Sequence, residues 1–136
     1  MALKITLKPQ EKMIIGGAVL TNGSRSNCDL VIENKIPVLR QNDIMSEAEA
    51  DTPCRRLYFV IQLMYIDEEN IAAYTDQYWN FVQDIVQAAP SMTVIIDGIS
   101  EHILQQKYYQ ALKLAQKLID YEQEVINRVN ESHASV

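Results

Sequence analysis

Through the first forty residues apolar and polar side chains alternate, and over most of the remaining chain apolar residues recur every three or four positions. Leu3, Ile5 and Leu7 alternate with Lys4, Thr6 and Lys8, the period expected of a strand with one buried and one wet face. Pro9-Gln10-Glu11 predicts a turn, residues 12–15 a second strand, and Gly16-Gly17 a tight turn that needs positive φ before a third strand over 18–21. Asn22-Gly23-Ser24 is a further hairpin signal, residues 28–33 a fourth strand, Asn34-Lys35 its turn, and residues 36–40 a fifth strand. Pro37 confines that fifth strand to an edge or a bulge, because it has no N–H for a central ladder. The pattern predicts a meander too small for much of a core, and so reliant on helices or on a second copy of itself.

Beyond it the punctuation is helical. Ser46-Glu47-Ala48-Glu49 fits a capping box, and Thr52-Pro53 fits a cap with proline at the first helical position, so a helix is expected from Pro53. Between Leu57 and Ile66 the stretch is nearly all apolar, with Gln62 the interruption, which places this helix at the centre of the helical core or at a partner interface. Asp67-Glu68-Glu69 puts negative charge at the start of the next helix, where the macrodipole favours it. Its stripe is Ile71, Tyr74, Tyr78, Phe81 and Ile85, and it stops at Ala88-Ala89 before Pro90. A shorter helix uses Met92, Ile95, Ile99 and Ile103. A last one, from Gln106 to Asn130, carries Tyr108, Leu112, Ala115, Ile119, Ile126 and Val129. The fold class expected is α+β: a small N-terminal antiparallel β-sheet, then a C-terminal bundle of about four helices. The divisions are a basic five-strand module over 1–45, an acidic helical region over 46–131 and a disordered tail over 132–136.

Charge sharpens that division. The chain has a formal net charge of −6, yet up to Arg40 six basic residues face three acidic ones, a formal +3, and the remainder carries −9. A basic sheet keeps its own field once the acidic part lies beyond a Debye length of ~8 Å, so nucleic acid is a reasonable partner despite the acidic total. With 48% apolar and 22% charged side chains the 136 residues suit a folded, soluble protein. Lysines interrupt the N-terminal apolar residues, which argues against a signal peptide, and no apolar run nears the ~20 residues needed to span a bilayer. A cytoplasmic address without membrane contact is expected. Cys28 and Cys54 have no CxxC spacing and read as reduced thiols, and His102 and His133 have no metal-site spacing, so neither cofactor nor metal is expected. No P-loop, nucleophile elbow or zinc motif occurs, which argues against an enzyme.

Several separated segments, in order, strongly resemble the FlbT family: residues 1–9, 32–40, 43–45 and 49–53, then Tyr58-Phe59, 62–65, 99–102, Tyr108-Tyr109 and 111–113. The resemblance runs from residue 1 to about Glu124. It implies a post-transcriptional regulator that binds the 5′ leader of the flagellin mRNA and controls its translation or turnover, functionally linked to the companion factor FlaF. The N-terminal pattern Leu3, Ile5, Thr6, Lys8, Glu11 and 13–15, then Val38-Leu39-Arg40 and Asp43-Ile44, is also similar to CsrA, an intertwined dimer that reads a GGA-containing loop of RNA. That similarity implies an RNA surface at Ile5, Leu7, Lys8 and Arg40. It departs at Leu7, where CsrA has a contacting arginine, at Gln10, where it has glycine, and at Leu39, where it has histidine.

The candidate RNA-binding residues are Lys4, Ile5, Leu7, Lys8, Lys12, Arg25, Lys35 and Arg40. Lys4 and Lys12 read equally as the solvated face of a strand, and Arg40 as an ion-pair partner of Asp43 or Glu47. Tyr58 and Trp79 are candidates for a surface that receives a helix of flagellin or FlaF, in an alternative reading as a helical adaptor or chaperone-like protein. Aromatics at helical spacing, Trp79, Tyr108 and Tyr109 included, also suit the core. A homodimer is expected if a second subunit covers the sheet edge.

Overall fold

The computed structural model describes residues 2–134, which divide into two compact units, residues up to 44 with 66–69 and residues 45–65 with those from 70 onward. In the first unit the strands are β1 (Leu3–Leu7), β2 (Lys12–Ile15), β3 (Ala18–Thr21), β4 (Cys28–Ile32) and β5 (Val38–Arg40). Gly16 and Gly17 have φ of 57° and 87°, the two positive values that a two-residue hairpin turn between β2 and β3 demands. A Cβ on Gly16 would stand 2.3 Å from Ile36 Cδ1, so a side chain there would have to displace that of Ile36.

Strand pairing departs from a meander. β1 pairs antiparallel with β4, and β2 pairs with both β3 and β5, giving ladders β1-β4 and β3-β2-β5. The cause lies at Gln10 and Asn22. Gln10 has φ 65° and turns the chain away from a β1–β2 hairpin. Its N–H donates to the Asn22 carbonyl at 2.7 Å, and the Asn22 N–H donates to the Glu11 carbonyl at 3.0 Å. The buried Asn22 side chain donates through Nδ2 to the carbonyls of Leu7 and Ser26, each at 2.9 Å, and so ties the loop after β3 to the end of β1. Asn22-Gly23-Ser24 is therefore a local Asx turn, with Ser24 N–H on Asn22 Oδ1 at 3.0 Å, and β4 is delivered to β1. Pro37 precedes β5, an edge strand, and contributes only its carbonyl, which accepts from the Gly16 N–H at 2.9 Å. Ile5, Leu7 and Met13 are the buried cluster of this unit, with Ile15, Leu30, Ile32 and Val38 packed against it.

The helices are α1 (Pro53–Ile66), α2 (Ile71–Ala88), α3 (Thr93–Leu104) and α4 (Tyr108–Ala134). Ser46 and Glu49 form the expected capping box around a 3₁₀ turn, and the backbone and hydroxyl of Ser46 hold the Glu49 carboxyl below its usual pKa. At the start of α1, Thr52 Oγ1 accepts from the Arg55 N–H. Glu122 of α4, almost fully buried, accepts from the Thr52 hydroxyl at 2.5 Å and from the Cys54 N–H at 3.1 Å, so a carboxylate from another helix completes the cap. Gln62, the polar break in α1, is buried and holds both backbone groups of Met45, accepting from its N–H at 2.8 Å and donating to its carbonyl at 3.0 Å. Tyr78 and Ile85 are the buried members of the α2 stripe. In α3 the fully buried residue is Ile96, one position after the Ile95 that the periodicity suggests, together with Ile99 and Ile103. The turn into α4 is a Schellman motif, Lys107 N–H to the His102 carbonyl at 2.8 Å and Gln106 N–H to the Ile103 carbonyl at 3.0 Å. The stripe of α4 is buried from Ala111 to Ile119, while Ile126 and Val129 are exposed. The helix runs to Ala134 through part of the expected tail, whose last two residues lie outside the described residues.

Candidate nucleic-acid interface

Alternation along β1 sorts its side chains in two. Ile5 and Leu7 face the core, and Lys4 and Thr6 are exposed, as is Lys8 just past the strand. Residues directly opposite in an antiparallel pair share a face, so Asp29, opposite Thr6, and Val31, opposite Lys4, join them on the outer surface. Thr6 Oγ1 donates to Asp29 Oδ1 at 2.7 Å across the two strands. Arg40, exposed at the end of β5, reaches the same residue: its Nη2 donates to the Thr6 carbonyl at 3.2 Å. The guanidinium has five N–H donors, so this one bond leaves most of its fork available.

Arg40 and Lys8 stand on the exposed side of β5 and just past β1, and the Lys8 N–H donates to Glu11 Oε1 at 2.9 Å. Lys4 is exposed on β1. Lys12 is engaged along the ladder, its N–H on Gln41 Oε1 at 2.6 Å and its Nζ on Thr21 Oγ1 at 3.2 Å. Arg25 and Lys35 lie on exposed loops, and among the described residues no hydrogen bond or ion pair joins either to Arg40. Three candidates are placed otherwise than expected. Ile5 and Leu7, 4% and 3% exposed, put their side chains into the core and can offer a ligand only their backbone. Tyr58, 3% exposed, is a core residue of α1 and not part of a surface. Trp79 is partly exposed, its ring edge-on to buried Tyr78 at 5.0 Å between centroids. The Tyr78 hydroxyl shares a 2.7 Å hydrogen bond with Ser100 Oγ, and burial, with Asp97 adding, pushes its pKa up to about 12.

Thr6 and Asp29 are the residues that sequence reasoning passed over. Their signal is a register, and a register between β1 and β4 is not written in either strand alone. In the helical unit a groove of about 490 Å³ is lined by Phe59, Leu63, Tyr74 and Phe81, with Glu47 and Arg56 also on its wall. Among the described residues no group of His, Cys, Asp and Glu could hold a metal, and no helix is long and apolar enough to cross a membrane.

Fold and surface together define an α+β protein whose basic, exposed strand face is built by a single chain, joined to a helical unit. The family model for the flagellar protein FlbT matches residues 3–126. The chain belongs to the FlbT family. It is 39% identical over 132 residues to the probable flagellum biosynthesis repressor protein FlbT of Caulobacter sp. (strain K31), covering 96% of this chain and all of that one (100%). To the probable flagellum biosynthesis repressor protein FlbT 1 of Bradyrhizobium diazoefficiens it is 40% identical over 133 residues, 98% of this chain and 90% of that one. The flagellum biosynthesis repressor protein FlbT of Caulobacter vibrioides (strain ATCC 19089 / CIP 103742 / CB 15) is 38% identical over 132 residues, 96% of this chain and 93% of its own. No solved structure matches.

Proposed function

We propose that this protein is a regulator of flagellar gene expression that binds single-stranded RNA of the flagellin leader through the exposed face of β1 and the end of β5, and so controls translation or turnover of the message. The observation that carries this reading is the Arg40 bond to the Thr6 carbonyl, which sets a guanidinium beside a lysine-bearing strand of the same chain. Lys8 supplies phosphate attraction, and Arg40 supplies a planar fork that stacks on or hydrogen-bonds a splayed base. Lys4 adds charge on the same face, and the exposed Val31 gives an apolar surface on which a base can lie. The names of the relatives point to repression of flagellum biosynthesis as the outcome.

A second reading is favoured by the groove of Phe59, Leu63, Tyr74 and Phe81, whose apolar walls suit an amphipathic helix of flagellin or of FlaF. Crosslinking in flagellated cells, with RNA sequenced and proteins identified from the same pulldown, separates the two. Flagellin-leader reads that vanish in a Lys8→Ala/Arg40→Ala double variant support the RNA reading. Recovery of flagellin or FlaF alone, unaffected by that double variant, contradicts it.

A further inference from the structure

We infer that Asp29 is a specificity-determining residue that reads guanine. This deepens the RNA reading and rests on it. Two exposed groups of opposite charge are joined through one residue: the Arg40 guanidinium on the Thr6 carbonyl at 3.2 Å, and the Asp29 carboxylate on the Thr6 hydroxyl at 2.7 Å. Donor and acceptor thus each lie one hydrogen bond from Thr6. A carboxylate on a basic surface weakens phosphate attraction, so its presence there makes sense for recognising something other than phosphate. Oδ1 is oriented by Thr6, and a carboxylate accepts several hydrogen bonds, so Asp29 retains free acceptor capacity. Guanine is the base that presents two adjacent donors, N1–H and the N2 amino group, next to the acceptors O6 and N7. In a single strand its Watson–Crick edge is open to Asp29 while the Arg40 fork takes O6 and N7. Adenine and cytosine present an unprotonated ring nitrogen where guanine has N1–H, and uracil has one donor without the neighbouring amino group.

The test uses the full chain and three single-stranded oligonucleotides: one guanine in a uridine context, the same RNA with inosine, which lacks the N2 amino group, and uridine throughout. Wild type should favour guanine over inosine roughly tenfold, on the scale of a base-edge contact. Asp29→Asn and Asp29→Ala should erase that ratio, yet bind the uridine RNA as tightly or more tightly, because a negative charge has left the surface. A ratio equal in wild type and both variants overturns the role of Asp29. Wild type that binds all three RNAs alike does so too, while leaving the RNA reading intact, and wild type that binds none of them overturns both.

Discussion

Two glutamines hold backbone conformations in which glycine is the less strained residue. Gln10 has φ 65° and Gln106 φ 59°, and a left-handed conformation costs an L-residue roughly 1–2 kcal/mol, against ~0.5–1 kcal/mol of extra chain entropy that glycine loses on folding. Gln10→Gly and Gln106→Gly should therefore each raise stability by about 0.5–1 kcal/mol in urea titrations. A lower midpoint would mean that the glutamine side chains contribute contacts worth more than the strain. The two thiols also separate at this scale. Cys28 is exposed, while Cys54 is fully buried, and burial, then the Glu122 carboxylate beside it, pushes its pKa up and keeps it a thiol. An aromatic disulfide reagent should label one thiol in the native protein and the second only on unfolding. Fast labelling of both would contradict the burial. The sequence made the Gln10 turn legible through Pro9, but glutamine does not announce positive φ, so the conformation that steers β1 away from β2 was hidden.

Among the elements, α1 depends on a partner 68 positions along the chain. The N-terminus of α1 receives the Glu122 carboxylate of α4, which leaves neither the Thr52 hydroxyl nor the Cys54 N–H without an acceptor. Glu122→Ala should cost ~1–3 kcal/mol, the range for orphaning a buried donor, and should leave RNA binding unchanged once the protein is folded. An unchanged melting curve would mean that water replaces the carboxylate fully. Local signals at this scale are well written in the chain: the Ser46/Glu49 box, the start of α1 at Pro53 and the Gly16-Gly17 turn all come from rules that span three or four residues. Contacts far apart in sequence are not. Glu122 sits on an otherwise exposed-looking polar run, and β1 finds β4 instead of β2 because Asn22 stitches two loops together, 15 residues after Leu7. Ile5 and Leu7 show the reverse case. Their alternation correctly marks them as inward-facing, and only the resemblance to CsrA suggested that they touch RNA.

At the scale of the molecule, the split of charge is the feature that composition alone conceals: +3 up to Arg40 and −9 beyond it within a net −6. The exposed lysines and Arg40 were legible from period and charge. Their grouping was not, since it needs the β1–β4 register and the reach of Arg40 across to Thr6. β1 pairs with β4 and β5 with β2, so Arg40 and Thr6 reach the candidate surface from two different ladders of the same chain.

If Lys8 and Arg40 bind single-stranded RNA as proposed, a salt series of titrations with a flagellin-leader RNA reads their contributions separately. Lys8→Ala should weaken diverse RNAs alike and lessen the slope of log K against log salt by about 0.7, the value for one phosphate contact on a single strand. Arg40→Ala should cost roughly 1–3 kcal/mol and reduce sequence preference, with Lys113→Ala as a control on the helical unit. Equal affinities and equal slopes for wild type and both folded variants would contradict the account, and would move the function to the groove on the helices.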